Sequence, residues 1–182
     1  MKKKLSFIII TLLLSIWFNS IIAQEESKII EILQAGGSTQ DQKKFPGANI
    51  LVKKDNIRVH LLHDGAQIKS NITYFYPKQN FFKANGNVVF IQGDTLKITC
   101  DEIEYDGTKK IALARGKVLL ERTDMNLKTE TLYLDRIKSK AYYNTFGTIL
   151  DEETILTSKR GIYFIDIKKY RFMSDVKIND PE

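Results

Sequence analysis

Four carboxylates crowd one short segment of the 182-residue chain, at Asp101, Glu102, Glu104 and Asp106. Two carboxyls facing a cleft at a set separation can hydrolyse a glycosidic bond. Alternation along a strand instead places Glu102 and Glu104 on one face beside turn residues, which reads as a solvated rim or as edge protection. His60 and His63 are the two histidines; three positions apart on a strand, they point to opposite faces and do not share a metal. His63, beside Asp64-Gly65, reads as a residue flanking a turn. Cys100, the single cysteine, keeps the parity of Leu96 and Ile98 and reads as a small buried apolar residue. No Gly-x-Ser-x-Gly elbow, Walker loop, dinucleotide fingerprint or cysteine-pair metal site occurs. The residues therefore predict no enzyme, no cofactor and no metal.

The elements that carry these side chains follow a period of two. Phe82, Ala84, Gly86, Val88 and Phe90 fall on every second residue, and Ala112, Ala114, Gly116, Val118 and Leu120 repeat the series. Tyr143, Thr145, Gly147, Ile149 and then Tyr170, Phe172, Ser174, Val176, Ile178 continue it. Such alternation is a half-buried strand. A second series keeps step: Ile68, Leu96, Leu127 and Leu156 each stand seven residues before Phe75, Ile103, Leu134 and Tyr163. The unit is a two-strand repeat of about 27 to 31 residues that buries its apolar edge only against its neighbours. Turn signals at Asp64-Gly65, Gly93-Asp94 and Asp106-Gly107 punctuate the strands, so the fold class is all-β. Glycines 86, 116 and 147 on the apolar face predict a crease where the sheet folds over, and Ser174 predicts a relaxed crease in the last copy. Parity changes between Cys100 and Ile103, which predicts a bulge at Asp101-Glu102.

At the start, three lysines precede an apolar run from Leu5 to Ile22 and a small residue, Ala23. That order describes a signal peptide over 1–23, cleaved after Ala23; the alternative is an uncleaved anchor. An N-terminal strand (Ile29 to Leu33) and loop (Ser38 to Lys44) fill 24–47, and 48–182 form the β domain. Losing 1–23 removes three lysines and no acid, which lowers the net charge from +6 to +3. So mild a charge, spread through the chain, speaks against nucleic acid as a partner. One cysteine excludes a scaffold held by intramolecular disulfides.

Ala84-Asn85-Gly86-Asn87-Val88, Gly93-Asp94-Thr95-Leu96 and Ile103-Glu104-Tyr105-Asp106-Gly107 stand in an order and spacing that resemble the OstA-like (LptA) family. Ala114-Arg115-Gly116-Lys117-Val118, Leu127-Lys128-Thr129 and Tyr133-Leu134-Asp135 continue the resemblance, which spans roughly Ile29 to Ile178. It departs at Thr148-Ile149 after Gly147 and at the glycine-free fourth copy. The resemblance implies an open, twisted antiparallel β-jellyroll in the periplasm, with an apolar groove for the acyl chains of lipopolysaccharide (lipid A). It further implies end-to-end joining to other Lpt-type jellyrolls by edge-strand addition, or to copies of itself, in a bridge toward the outer membrane. Under that resemblance the groove comprises Phe82, Val88, Phe90, Leu96, Ile98, Ile103, Tyr105, Val118, Leu120, Leu127, Leu134, Ile149, Tyr163, Phe172 and Val176. Read from the residues alone, the same set is an ordinary closed core. Lys97, Lys109, Lys110, Arg115, Lys117 and Arg122, near turns, are candidates for phosphate at the groove mouth or, more plainly, edge-strand charges. Ile29 to Leu33 and Arg171 to Ile178 are the expected docking edges. Two alternatives stand beside the carrier: a membrane-anchored LptC-like protein, and a structural β-repeat that binds no lipid.

Overall fold

Alternation becomes strand in the computed structural model, which describes residues 28–123, 125–151 and 154–179. The expected export segment, 1–23, lies outside the described residues. The early strands are β1 (Glu31–Gln34), β2 (Gly37–Thr39), β3 (Asn49–Val52), β4 (Val59–His63), β5 (Ala66–Ser70) and β6 (Ile72–Tyr76). Four long strands follow: β7 (Phe81–Gln92), β8 (Leu96–Asp106), β9 (Ile111–Glu121) and β10 (Asn126–Asp135). The chain ends in β11 (Lys140–Tyr143), β12 (Gly147–Asp151), β13 (Thr154–Ser158), β14 (Arg160–Phe164), β15 (Lys169–Met173) and β16 (Lys177–Asn179). Ser38 and Thr39, read above as the start of a loop, are strand because the backbone of β2 pairs with β3.

Pairing resolves these strands into two facing layers of one folded sheet. The first layer runs β2, β3, β6, the halves of β7 to β10 near Phe81, Asp106, Ile111 and Asp135, then β11, β14 and β15. The second runs β1, β4, β5, the other halves of β7 to β10, then β12, β13 and β16. All pairings are antiparallel, and the four long strands cross from one layer to the other. The result is an open β-jellyroll whose walls are the two half-sheets.

Two backbone devices build the crease, and they alternate. In β7 and β9 a left-handed pair makes the bend: Gly86 (φ 78°) with Asn87 (φ 48°), and Gly116 (φ 75°) with Lys117 (φ 48°). Glycine tolerates positive φ, which most residues avoid. Beyond it the inner face keeps its parity, from Ala84 to Val88 and from Ala114 to Val118. In β8 and β10 one extra residue shifts the parity, from Cys100 to Ile103 and from Thr129 to Leu132, with register breaks at the same places. The expected bulge at Asp101-Glu102 is therefore present.

The fourth copy corrects one expectation. Ser174 (φ 65°) and Asp175 (φ 51°) adopt the left-handed pair without glycine. The Ser174 carbonyl accepts from the Lys159 amide at 2.9 Å, as the Gly86 carbonyl accepts from Asn71 at 3.0 Å, so the crease is maintained there. Gly147 has a different role from the one assigned to it. It is not in the left-handed region, and a Cβ there would lie 2.5 Å from the Tyr143 ring; Gly161 meets the opposite ring edge at 2.5 Å. These two glycines leave room for one buried aromatic ring.

Candidate functional site: the trough between the layers and its seam

Thirteen of the fifteen expected groove residues, from Phe82 to Tyr163, are buried on the inward faces of the two layers. Phe82, Ile103, Tyr105, Leu134 and Tyr163 come from the first layer; Val88, Phe90, Leu96, Ile98, Val118, Leu120, Leu127 and Ile149 come from the second. Phe172 is half-buried and packs against this core. Val176 does not face inward into a wall: it is 44% exposed, because it follows the Ser174-Asp175 bend beyond the end of β15. Along its middle the trough is filled by its own side chains. Toward the β15 and β16 end it opens, where Leu156, Tyr170 and Phe172 are half-buried and Ile178 is 61% exposed. Tyr170 and Phe172 stack there, with centroids 5.7 Å apart.

A ladder of small polar side chains lines the inside of the crease. Ser70, Thr129 and Ser158 are buried at equivalent positions of the first, third and fourth repeats, and Cys100 takes that place in the second. Each hydroxyl reaches the carbonyl two residues on: Ile72 at 3.3 Å, Thr131 at 3.5 Å and Arg160 at 3.0 Å. Ser70 also meets Thr73 Oγ1 at 2.7 Å, Thr129 meets the Phe146 carbonyl at 3.0 Å, and Ser158 meets Tyr143 OH at 2.6 Å. Buried hydroxyls need such partners. Burial pushes the Cys100 thiol up to about 12, so it stays protonated and inert. The sequence signal for this ladder was the spacing of Ser70, Cys100, Thr129 and Ser158, just before each parity change.

Opposite the crease, the tips of the two layers meet in a seam, where Tyr105, His63 and Lys110 are joined by two residues that were not expected, Arg136 and Gln92. Arg136, just after β10 in the first layer, spans it. Its Nε donates to Gln92 Oε1 at 2.9 Å, Nη2 to the Asp64 carbonyl at 2.7 Å, and Nη1 to the His63 carbonyl at 3.3 Å and Tyr105 OH at 2.6 Å. Lys110 crosses the same seam to Asp64 Oδ2 at 2.7 Å, while Lys28 holds Asp64 Oδ1 at 2.6 Å. The side-chain hydrogen bonds from Lys110 and Lys28 hold the Asp64 carboxyl well below the usual carboxylate range.

His63 is more than a turn-flanking residue. It is 1% exposed, with Nδ1 2.8 Å from Tyr105 OH and Nε2 2.7 Å from the Lys28 carbonyl. A carbonyl only accepts, so Nε2 carries the proton and the neutral ring accepts from Tyr105 at Nδ1. Burial lowers the His63 pKa, and the same cause raises that of Tyr105. The relay runs from Arg136 through Tyr105 and His63 to the backbone at Lys28.

The remaining sequence candidates lie elsewhere. Glu102 and Glu104 face outward, where Arg115 (3.1 and 3.0 Å) and Lys83 (3.0 and 3.4 Å) pair with both. Arg115 is thus on the outer face of the first layer and not at the groove mouth. Lys97 pairs with Glu121 at 2.7 Å and Lys109 with Asp106 at 2.9 Å. Lys117 sits in the crease bend. Of the six basic candidates, Lys110 bridges the seam and Arg122 lies 5.2 Å from the centre of the Tyr163 ring. His60 is on the opposite face from His63, 3.1 Å from Gln67 Oε1. Among the described residues no cluster of three or more His, Cys, Asp or Glu side chains has the arrangement to hold a metal ion.

An open β-jellyroll folded over a continuous apolar trough defines the class. The OstA-like protein family matches residues 27–182, and the chain belongs to that family. Among solved structures it is similar to the crystal structure of LptH from Pseudomonas aeruginosa, described as the LptA-homologous periplasmic component of the conserved lipopolysaccharide transport device. That likeness has a TM-score of 0.59 at 12% identity and covers 64% of this chain and 95% of that one, which supports the shared fold. No curated protein matches the chain in sequence.

Proposed function

We propose that the protein is a periplasmic carrier of lipopolysaccharide, which holds acyl chains between the two layers and passes them toward the outer membrane without covalent chemistry. The observation that carries this reading is one apolar inner face, shared by successive repeats and open at the β15 and β16 end. Family membership and the fold shared with LptH support it. Each buried methylene is worth roughly 0.8 kcal/mol, so an acyl chain of about twelve carbons gains on the order of 10 kcal/mol gross. Part of that gain is spent in parting side chains that pack against one another in the empty trough. The protein therefore binds its cargo less tightly than a preformed cavity would, which suits a carrier that must release it. Export by cleavage after Ala23 belongs to the same reading, and an exported chain that begins at Gln24 is its direct check.

The packed middle of the trough favours a second reading, a structural β-repeat whose interior stays sealed. Photocrosslinking separates the two. A benzophenone side chain in place of Phe90 or Leu120 in cells that make lipopolysaccharide forms a lipid adduct if the trough takes cargo. Protein-only products at both positions would overturn the carrier in favour of the sealed repeat.

A further inference from the structure

Among the described residues the half-buried guanidinium of Arg136 touches no carboxylate: its partners there are Gln92 Oε1, Tyr105 OH and the carbonyls of His63 and Asp64, all neutral oxygens. It lies where the two layers meet, next to the Lys110–Asp64 pair that also crosses between them. Behind it the Tyr105 ring meets the rings of Phe82 and Phe90, with centroids 5.4 and 6.2 Å away. A phosphate offers charged oxygens in the fork geometry that a guanidinium matches, and charge-assisted bonds are roughly twice as strong as neutral ones. An anionic head group arriving at the seam thus makes better bonds to Arg136 than those that hold the seam shut. The apolar trough lies immediately behind it.

We infer that this seam is a side entrance for amphiphiles with a phosphorylated head group, with Arg136 as both the latch and the head-group receptor. The inference rests on the carrier reading above and adds where the cargo enters and what chemistry admits it. When phosphate takes Arg136, the bonds to Gln92 and to the two carbonyls of β4 and its turn are released. The Lys110–Asp64 pair and the His63–Tyr105 hydrogen bond are then among the ties left between the lips. The acyl chains follow into the space opened beside Phe90.

The test joins the lips covalently while leaving Arg136 in place. Asp64→Cys and Lys110→Cys are bridged with a reducible bismaleimide in a protein that carries a benzophenone at position 90. Cys100, buried and protonated, does not compete for the reagent. The probes are diphosphoryl lipid A and its dephosphorylated form in neutral phosphatidylcholine vesicles. Bridged protein is expected to give no lipid adduct, and reduction is expected to restore it. In the protein without these cysteines, diphosphoryl lipid A is expected to load about tenfold or more faster than the dephosphorylated form, and Arg136→Ala to abolish that preference. Equal adduct in the bridged and reduced states overturns the side entrance and assigns loading to the open end, with the carrier reading intact. Equal loading of both lipids overturns the receptor role of Arg136. Absence of adduct in the unbridged protein overturns the carrier reading and the entrance together.

Discussion

At the scale of single residues, His63 couples the seam to pH in a direction the geometry dictates. Its neutral ring accepts from Tyr105, which in turn accepts from Arg136, so a second ring proton would face a hydroxyl already oriented toward it. The groups around it are Tyr105, Arg136, Asp64 and Lys110. Its folded pKa lies below the ordinary 6.5 because burial disfavours the charged ring. As pH falls through 6.5 the unfolded chain takes up a proton that the folded chain refuses, and stability is lost until the folded value is reached. Asp64 acts in the same direction in a lower window, since its contribution is present above 3.8 and fades in more acid solution. The melting temperature is therefore expected to fall between about pH 7 and pH 5, and His63→Gln to flatten that slope. Thermal melts across this range check it; equal slopes in both proteins would show that the histidine is not the sensor. The filled middle of the trough gives a second prediction at this scale. Phe90, fully buried against Tyr105, should cost about 3–5 kcal/mol when replaced by alanine, measured by urea denaturation. A cost below about 1 kcal/mol would mean that the layers do not pack there in solution.

At the scale of elements, the crease shows which features were legible in the sequence. Alternation placed thirteen of the fifteen expected groove residues on the buried faces because burial on one face of a strand leaves a period of two. The Cys100 to Ile103 parity change revealed the bulge for the same reason. Glycine was the weaker guide, since two physical needs select it. Gly86 and Gly116 supply positive φ, whereas Gly147 and Gly161 make space for the Tyr143 ring. Ser174 meets the first need without being glycine, so it read as a relaxed bend. The seam was illegible because Arg136, Gln92 and His63 meet only after the sheet folds over, and no local spacing encodes that encounter. These distinctions are testable. Gly116→Ala places a Cβ 2.7 Å from Asp101 Oδ2 on a left-handed backbone, and is expected to destabilise by about 1–3 kcal/mol. Ser174→Gly relieves a left-handed serine and is expected to stabilise by up to about 1 kcal/mol after glycine's entropy cost. If both changes prove destabilising to the same degree in denaturant titrations, the fourth bend is not the counterpart of the second.

At the scale of the whole molecule, the two ends of the jellyroll differ from its middle in a way that bears on assembly. Each terminal strand has a single partner among the described residues: β1 and β2 at one end, β15 and β16 at the other. An unpaired edge offers backbone donors and acceptors to another strand, which is the basis of strand addition. Both ends also expose apolar side chains, Ile32 and Leu33 on β1 and Ile178 on β16. The trough itself opens beside Ile178, so joining a further jellyroll there would bury that residue and extend the apolar face without a break. Burying an isoleucine is worth about 1.5–3 kcal/mol, and one such contact per junction shifts an association constant by roughly ten- to a hundredfold. Ile178→Asp is thus expected to weaken end-to-end association by at least about tenfold in sedimentation experiments, with Ile32→Asp doing the same from the other end. A head-to-tail junction would have one face from each end, so the two variants mixed together should associate no better than the wild type and more readily than either alone, since one of the possible pairings joins two intact ends. Association that is indifferent to both substitutions would separate the apolar ends from assembly and leave the edge strands to act, if at all, through their backbones.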